Sequence, residues 1–258
     1  MGKIYAIISG KGGVGKTTTT INLGTSINLL GHNVIIVDGN LATPNVGIHL
    51  GAPIVPVSLN HVLSGKAKIE DAIYEHESGT KVIPASLSLK DAEKIDYGKM
   101  TDSLNKLKKL ANIILLDSSA GIGEEAKSAI QAADNIIVVT NPEMPAVTDA
   151  LKIIKISERY HKPIIGTIIT RCQNRKTDMS ISNISDMLET PIIGLIPEHN
   201  SVKESQMLRN AVVLTHPKSI VTKAYLDASR RILGEYVPLE YPVEPSFFRK
   251  FLNVIKLG

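Results

Sequence analysis

Gly10-Lys11-Gly12-Gly13-Val14-Gly15-Lys16-Thr17 decides the reading of this chain. It stands between a short β-branched run, Ile4 to Ser9, and a helical segment, Thr17 to Leu30, with Gly31 placed as its C-cap. Strand, glycine loop and helix in that order are the context in which the pattern G-x-x-x-x-G-K-[ST] forms a phosphate-binding loop. The glycines let the backbone wrap with its N–H groups inward, and the following helix adds its positive N-terminal end. Lys16 is placed to reach terminal phosphates and the Thr17 hydroxyl to ligate Mg²⁺. A glycine-rich structural turn is the competing account, and the agreement of every motif position and both flanks speaks against it.

Outward from the loop, Asn33 to Val37 reads as a second buried strand ending at Asp38, and Asn112 to Leu116 as another ending at Asp117. Both are too uniformly apolar for half-exposed strands, so buried parallel strands are implied. Further strands are expected at Asn135 to Thr140, Ile164 to Thr170 and Ile192 to Ile196, with helices such as Thr148 to Arg159 and Lys218 to Leu233 between or after them. In the middle region the expectation is helices near Leu59 to Ser64 and Met100 to Leu110, and a strand near Lys81 to Pro84. Alternating strands and helices predict one three-layer α/β domain over residues 1–234, a mostly parallel sheet covered on both faces. Pro238, Pro242 and Pro245 then break any helix and mark residues 235–245 as a spacer before a tail, 246–258.

Composition narrows the class. The chain has 258 residues, 43% apolar and 21% charged, which excludes disordered and fibrous proteins. A single cysteine excludes a disulfide framework and a paired-thiolate metal site within one chain, and a reducing cytosol fits. The apolar part of the first residues is too short for a signal peptide, and no apolar run approaches the ~18 residues of a membrane span. The formal charge is +4, of which the tail's Arg249, Lys250 and Lys256 carry three, leaving +1 for the rest. Such a body is not a strongly basic nucleic-acid binder.

The stretch Ser9-Gly10-Lys11-Gly12-Gly13-Val14-Gly15-Lys16-Thr17-Thr18 resembles the deviant Walker A motif of the MinD/ParA ATPases. The resemblance implies a P-loop NTPase fold, ATP and Mg²⁺ as cofactors, and nucleotide contacts from Gly10, Lys11, Gly12, Gly13, Val14, Gly15, Lys16, Thr17 and Thr18. In that family the first lysine, Lys11 here, reaches across a homodimer to the partner's nucleotide, where a cation stabilises charge as an arginine finger does. Without the resemblance, Lys11 reads equally as a solvated loop lysine. At Val37-Asp38-Gly39-Asn40 the family carries an aspartate pair that helps position Mg²⁺ and the attacking water; Asp38 matches and Asn40 does not. A neutral amide keeps the shape but accepts no proton, so Lys11, Lys16, Asp38 and Asn40 form a catalytic set expected to turn over slowly. Three readings of Asn40 stand: a natural variant with weak turnover, one using Asp38 alone, or an introduced Asp-to-Asn exchange that holds the ATP state.

Asp117 matches the Walker B position, giving Thr17, Asp38 and Asp117 as the implied metal set, and Ser118-Ser119-Ala120-Gly121 resembles the switch that senses the γ-phosphate. The likeness continues through Thr140-Asn141-Pro142-Glu143, Asp149, Thr170-Arg171 and Gly194-Leu195-Ile196-Pro197-Glu198, so it covers about residues 1–235. Arg171, Pro197 and Glu198 resemble adenine-side residues. Asp149 reads as a dimer contact or as an ordinary early-helix acid. Cys172 reads as a small residue beside the base pocket, and the lack of Cys-x-x-Cys speaks against the iron–sulfur relatives.

The tail carries all three phenylalanines of the chain. At ~100° per residue, Phe247, Phe248, Phe251, Leu252, Val254 and Ile255 share one arc and Arg249, Lys250, Asn253 and Lys256 the opposite one, after Ser246 as cap. A short basic amphipathic helix suits an anionic membrane surface and binds weakly alone, so dimerisation would double the anchor. Docking on the body itself or on a partner is the alternative. The MinD branch ends in such a segment, which favours it over the DNA-gripping ParA branch. The expectation is a membrane-associated, cytoplasmic ATPase that dimerises with ATP and positions division sites or surface structures, acting with an activator or cargo protein. Rivals are a ParA-like or flagellum-number type regulator and a nucleotide-gated scaffold with little hydrolysis. DNA is the lesser expectation; Arg171, Arg175, Lys176, Lys203, Arg209, Arg230 and Arg231 would be its contacts and otherwise read as solvated faces.

Overall fold

A computed structural model describes residues 1–93, 95–173, 175 and 177–241 of the chain. The sequence expectations for 242–258, including every residue of the amphipathic segment, and for Lys176 lie outside the described residues. Eight strands form one sheet: β1 (Lys3–Ser9), β2 (Val34–Gly39), β3 (Tyr74–Glu75), β4 (Lys81–Ile83), β5 (Ile113–Ala120), β6 (Asn135–Thr140), β7 (Ile164–Cys172) and β8 (Ile192–Pro197). Their order is β3-β4-β2-β5-β1-β6-β7-β8, and every pairing is parallel except β3 with β4. The uniform Ile, Val and Leu runs lie in the middle of this sheet because both faces are covered, as a parallel sheet requires.

The helices are α1 (Lys16–Leu29), α2 (Val46–His49), α3 (Leu59–Leu63), α4 (Leu89–Ala92), α5 (Met100–Leu107), α6 (Glu124–Ala132), α7 (Met144–Arg159), α8 (Ile181–Leu188), α9 (Asn200–Met207), α10 (Val212–Thr215) and α11 (Ile220–Ile232). One core lies between the sheet and α3, α5, α6, α7 and α8, built from residues such as Ile4, Ile35, Leu104, Ile130 and Ile153. The other lies under α1, α10 and α11, around Ile7, Leu23, Ile36, Val212 and Tyr225. The sheet with helices on both faces is the expected α/β/α architecture.

Local boundaries differ for physical reasons. The helix expected from Thr148 begins at Met144, because Pro145 sits in its first turn, where a missing N–H costs nothing. α11 begins at Ile220, since the Ser219 side chain accepts from the Val221 N–H and caps the helix. The helix expected to Leu110 is α-helical only to Leu107. β3 was not anticipated: two residues pair antiparallel at the sheet edge, a signal too short to read as a strand. After α11, Gly234 takes φ +92° and turns the chain back along the edge. Arg231 holds it there, donating from Nη1 to the Ile193 carbonyl (3.0 Å), from Nε to that of Val237 (2.9 Å) and from Nη2 to that of Pro238 (2.6 Å).

Candidate active site

The strand order sets β1, β2 and β5 side by side, so the glycine loop and the ends of the other two strands meet at one carboxyl edge. There a cleft of about 530 Å³ is lined by Gly12, Gly13, Gly15, Lys16, Thr17 and Thr18, and by Asn40, Thr43, Asn45, His49, Ser119, Ala120, Glu125 and Arg171 with Ser9. Gly13 (φ +78°) and Gly15 (φ +86°) occupy the left-handed region that bends the loop around this space. A Cβ at Gly12 or Gly13 would meet nothing within 4 Å, so the bare backbone faces the open cleft. Gly10 serves the opposite purpose: its Cβ would stand 2.1 Å from the Asp149 carbonyl oxygen, so the loop packs directly on α7. Val14 is buried, and its carbonyl accepts from Thr170 Oγ1 at 2.6 Å.

Lys16 reaches across the loop to the end of β5. Its Nζ lies 3.1 Å from Asp117 Oδ1 and also donates to the Ser118 carbonyl. Thr17 Oγ1 donates to Asp117 Oδ2 at 2.6 Å, and Thr20 Oγ1 to Oδ1 at 3.2 Å. The Lys16–Asp117 pair is buried, so either charge without the other would be costly. One hydroxyl and one carboxylate on adjoining elements are hard oxygen donors of the kind that hold Mg²⁺ together with waters and phosphate oxygens. Together with the open glycine backbone, they fit a Mg–nucleotide.

Asp38 is placed differently from the expectation. It is the register partner of Asp117 in β2–β5, fully buried, and both its oxygens are turned onto the backbone of the following loop. Oδ1 accepts from the Asn40 N–H (3.2 Å), and Oδ2 from Asn45 and Val46 (3.0 Å each). Burial, and next the charge of Asp117, push its pKa up to about 7 against the pull of these amides. Asp38 is expected among the Mg²⁺ ligands and catalytic groups; in this ligand-free geometry its oxygens hold the backbone of the loop that carries Asn40, and it is not among the residues that line the cleft. Asn40 does line it, with Oδ1 accepting from Thr43 Oγ1 at 2.9 Å.

Lys11 is turned out of its own cleft. Its exposed ammonium stands 3.4 Å from Glu143 Oε2, at the start of α7. Asp149, also on α7, pairs with Lys152 at 3.0 Å. On the other side of Thr18 a recess of about 150 Å³ brings together Arg171, Pro197 and Glu198, with Gly15, Thr18 and Arg171 shared between recess and cleft. Arg171 has φ +53°, and its Nε lies 3.8 Å from Glu198 Oε2. The other basic residues are dispersed: Lys203 lines this recess, Arg230 pairs with Asp227 (3.7 Å), and Arg209 packs over Gly51. Cys172 is buried, its thiol pushed up to about 12 by burial.

Several residues had no sequence signal. Gln206 of α9 donates to Thr18 Oγ1 (3.1 Å), and Tyr225 of α11 places its hydroxyl 3.3 Å from Thr19 Oγ1, with burial pushing its pKa up to about 12. His49 lines the cleft, and burial lowers its pKa, which favours the neutral ring. Glu125 enters from α6. These side chains come from distant segments with no motif of their own, so only the fold brings them to the loop.

Comparison with known proteins agrees with this geometry. Residues 2–168 match the AAA domain family, and residues 99–251 match the family described as 4Fe-4S iron sulfur cluster binding proteins, NifH/frxC family. With one cysteine in the chain, the second match is a likeness of fold without the thiolates of a cluster. An uncharacterized ATP-binding protein of Methanocaldococcus jannaschii is 38% identical, over 96% of this chain and 94% of its own length. Among solved structures, the Pyrococcus furiosus cell division ATPase MinD superposes with a TM-score of 0.88 at 32% identity, covering 91% of this chain and 99% of that one. The Pyrococcus horikoshii septum site-determining protein MinD, complexed with Mg-ADP, gives 0.87 at 32% identity, covering 90% and 96%. A glycine loop with a second lysine, a threonine and strand-end aspartate set for Mg²⁺, and likeness along almost the whole chain lead to one conclusion: this chain belongs to the MinD/ParA family of Mg-ATP-dependent P-loop ATPases.

Proposed function

We propose that this chain is a MinD-like ATPase that dimerises with ATP, attaches to an anionic membrane surface through residues 246–258, and acts as a spatial regulator of division-site or cell-surface-structure placement. The observation that carries the reading is Lys11, a loop lysine turned out of its own cleft and onto the exposed Glu143. Held there by a solvated ion pair of little intrinsic worth, its ammonium is available to a nucleotide in a facing copy. The names of the P. furiosus and P. horikoshii proteins support cell division as the setting.

Within one copy, the loop amides of Gly12 to Gly15 and the Lys16 ammonium bind the phosphates, which draws Lys16 away from Asp117 and Ser118. Thr17 and Asp117 would hold Mg²⁺, which supplies neutralisation of phosphate charge. Arg171, Pro197 and Glu198 flank the base, and Lys11 from the facing copy stabilises charge on the transferring phosphoryl group. Asn40, an amide already engaged by Thr43, accepts no proton, so turnover is slow. Slow turnover lengthens the paired state, in which two linked tails bind far better than one.

Sedimentation with anionic phospholipid vesicles tests the reading, using the full chain and one ending at Pro245, each with Mg-ATP and Mg-ADP. The expected result is that only the full chain with Mg-ATP pellets. A full chain that stays in the supernatant with both nucleotides would refute membrane attachment.

A further inference from the structure

With an amide at position 40, the cleft draws its negative charge from elsewhere. Asp117 meets Lys16, Thr17 and Thr20 here and is the carboxylate assigned to Mg²⁺ in the ATPase reading, and Asp38 accepts from three backbone amides. Among the described residues that line the cleft, Glu125 is the one carboxylate. It sits in the first turn of α6 and is half-buried. Its Oε1 accepts from the Ala42 N–H at 2.9 Å and from the Tyr97 hydroxyl at 3.3 Å. Ala42 is two residues beyond Asn40, so this carboxylate is tied to the same loop that presents Asn40. Oε2 makes no hydrogen bond or ion pair among the described residues. One oxygen thus fixes the group at the cleft wall, and the other has no partner among the described residues.

We propose that Glu125 is the water-activating carboxylate behind the slow turnover of this chain, acting from α6 where a carboxylate at position 40 would act from β2. The inference rests on the ATPase reading above. In the step it assigns, the oxygen of a water forms a bond to the γ-phosphorus while the bond from that phosphorus to the β–γ bridging oxygen breaks. The bridging oxygen leaves with the electron pair as part of ADP. The water proton passes to Glu125 Oε2, then to solvent, and inorganic phosphate is released. Asn40, through its amide, and Thr43 hold the loop beside this water.

The test is Glu125→Gln, which keeps an acceptor for Ala42 and Tyr97 but takes no proton. The expected result is a fall in kcat of about 10²-fold, within the range for a removed general base, with affinity for a fluorescent ATP analogue and the urea unfolding midpoint unchanged. After incubation with Mg-ATP and gel filtration, the variant should retain ATP where the unaltered chain retains ADP. Glu125→Gln combined with Asn40→Asp should recover at least a tenfold part of the loss, since a carboxylate is restored from the other side. Turnover within twofold of the unaltered chain would overturn the inference, as would a similar loss confined to His49→Gln, the other proton acceptor in the cleft. If the unaltered chain releases no phosphate from Mg-ATP at all, it is the ATPase reading that fails.

Discussion

Thr170 tests whether the glycine loop is held from outside by the sheet. Its side chain is buried at the end of β7, with Oγ1 2.6 Å from the Val14 carbonyl and 3.1 Å from that of Thr140. Thr170→Val keeps the β-branched shape and volume but removes the hydroxyl, whose single proton lies nearest the Val14 carbonyl, and so leaves that buried acceptor short of a donor. Losing such a bond and leaving its partner unsatisfied costs about 1–3 kcal/mol. At about 2 kcal/mol, and about 2–4 °C per kcal/mol for a chain of this length, the melting midpoint should fall by roughly 4–8 °C. Thermal and urea unfolding without nucleotide measure this directly. Thr170→Ser, which keeps the hydroxyl, should recover most of the loss. Because Val14 leads into Gly15, nucleotide affinity should weaken in the valine variant as well. A valine variant as stable as the parent, within about 0.3 kcal/mol, would show that the loop does not depend on this tie.

Lys11→Ala removes one member of an exposed ion pair and should leave unfolding within about 0.5 kcal/mol of the parent, yet abolish ATP-dependent dimerisation measured by light scattering; a variant that still dimerises would place the role of Lys11 elsewhere. Asp38 gives a pH signature: its pKa of about 7 lies above the ordinary carboxylate value, so the native state binds the extra proton. Its contribution is fully present below pH ~4 and is lost as pH rises through about 7. The nucleotide-free protein should therefore lose stability from this group across that window, and Asp38→Asn should flatten the slope of the unfolding midpoint against pH. An unchanged slope would contradict the assignment.

Comparing the two carboxylates shows why some of the site was legible in the sequence and some was not. Asp38 and Asp117 announce themselves at the ends of apolar runs, and their place at the carboxyl edge follows from the alternation of strand and helix. Their division of labour does not. Asp117 faces the loop and meets Lys16 and Thr17, whereas Asp38, one strand farther from the loop, is closed over by residues 40–46. That choice depends on which way each strand end turns, a property of backbone packing and not of residue type. Glu125 shows the converse: an acid in an ordinary helix first turn, favourable there in any protein, becomes a cleft residue only because α6 starts beside the loop after β2.

The sequence alone determined the glycine loop, the parallel buried strands and the helices on both faces, because each rests on a local pattern: glycine spacing, uniform apolar runs, and periodic apolar positions. That Asn40 stands where a carboxylate was expected came from the resemblance to the MinD/ParA pattern, which carries an aspartate at that place. The tertiary structure decided what the motifs meet. It turned Lys11 away from its own cleft, brought Arg171, Pro197 and Glu198 into one recess, set Thr170 under the loop and supplied Glu125. Those meetings come from the order of strands in the sheet, and strand order is fixed by long-range packing that no local window of sequence contains.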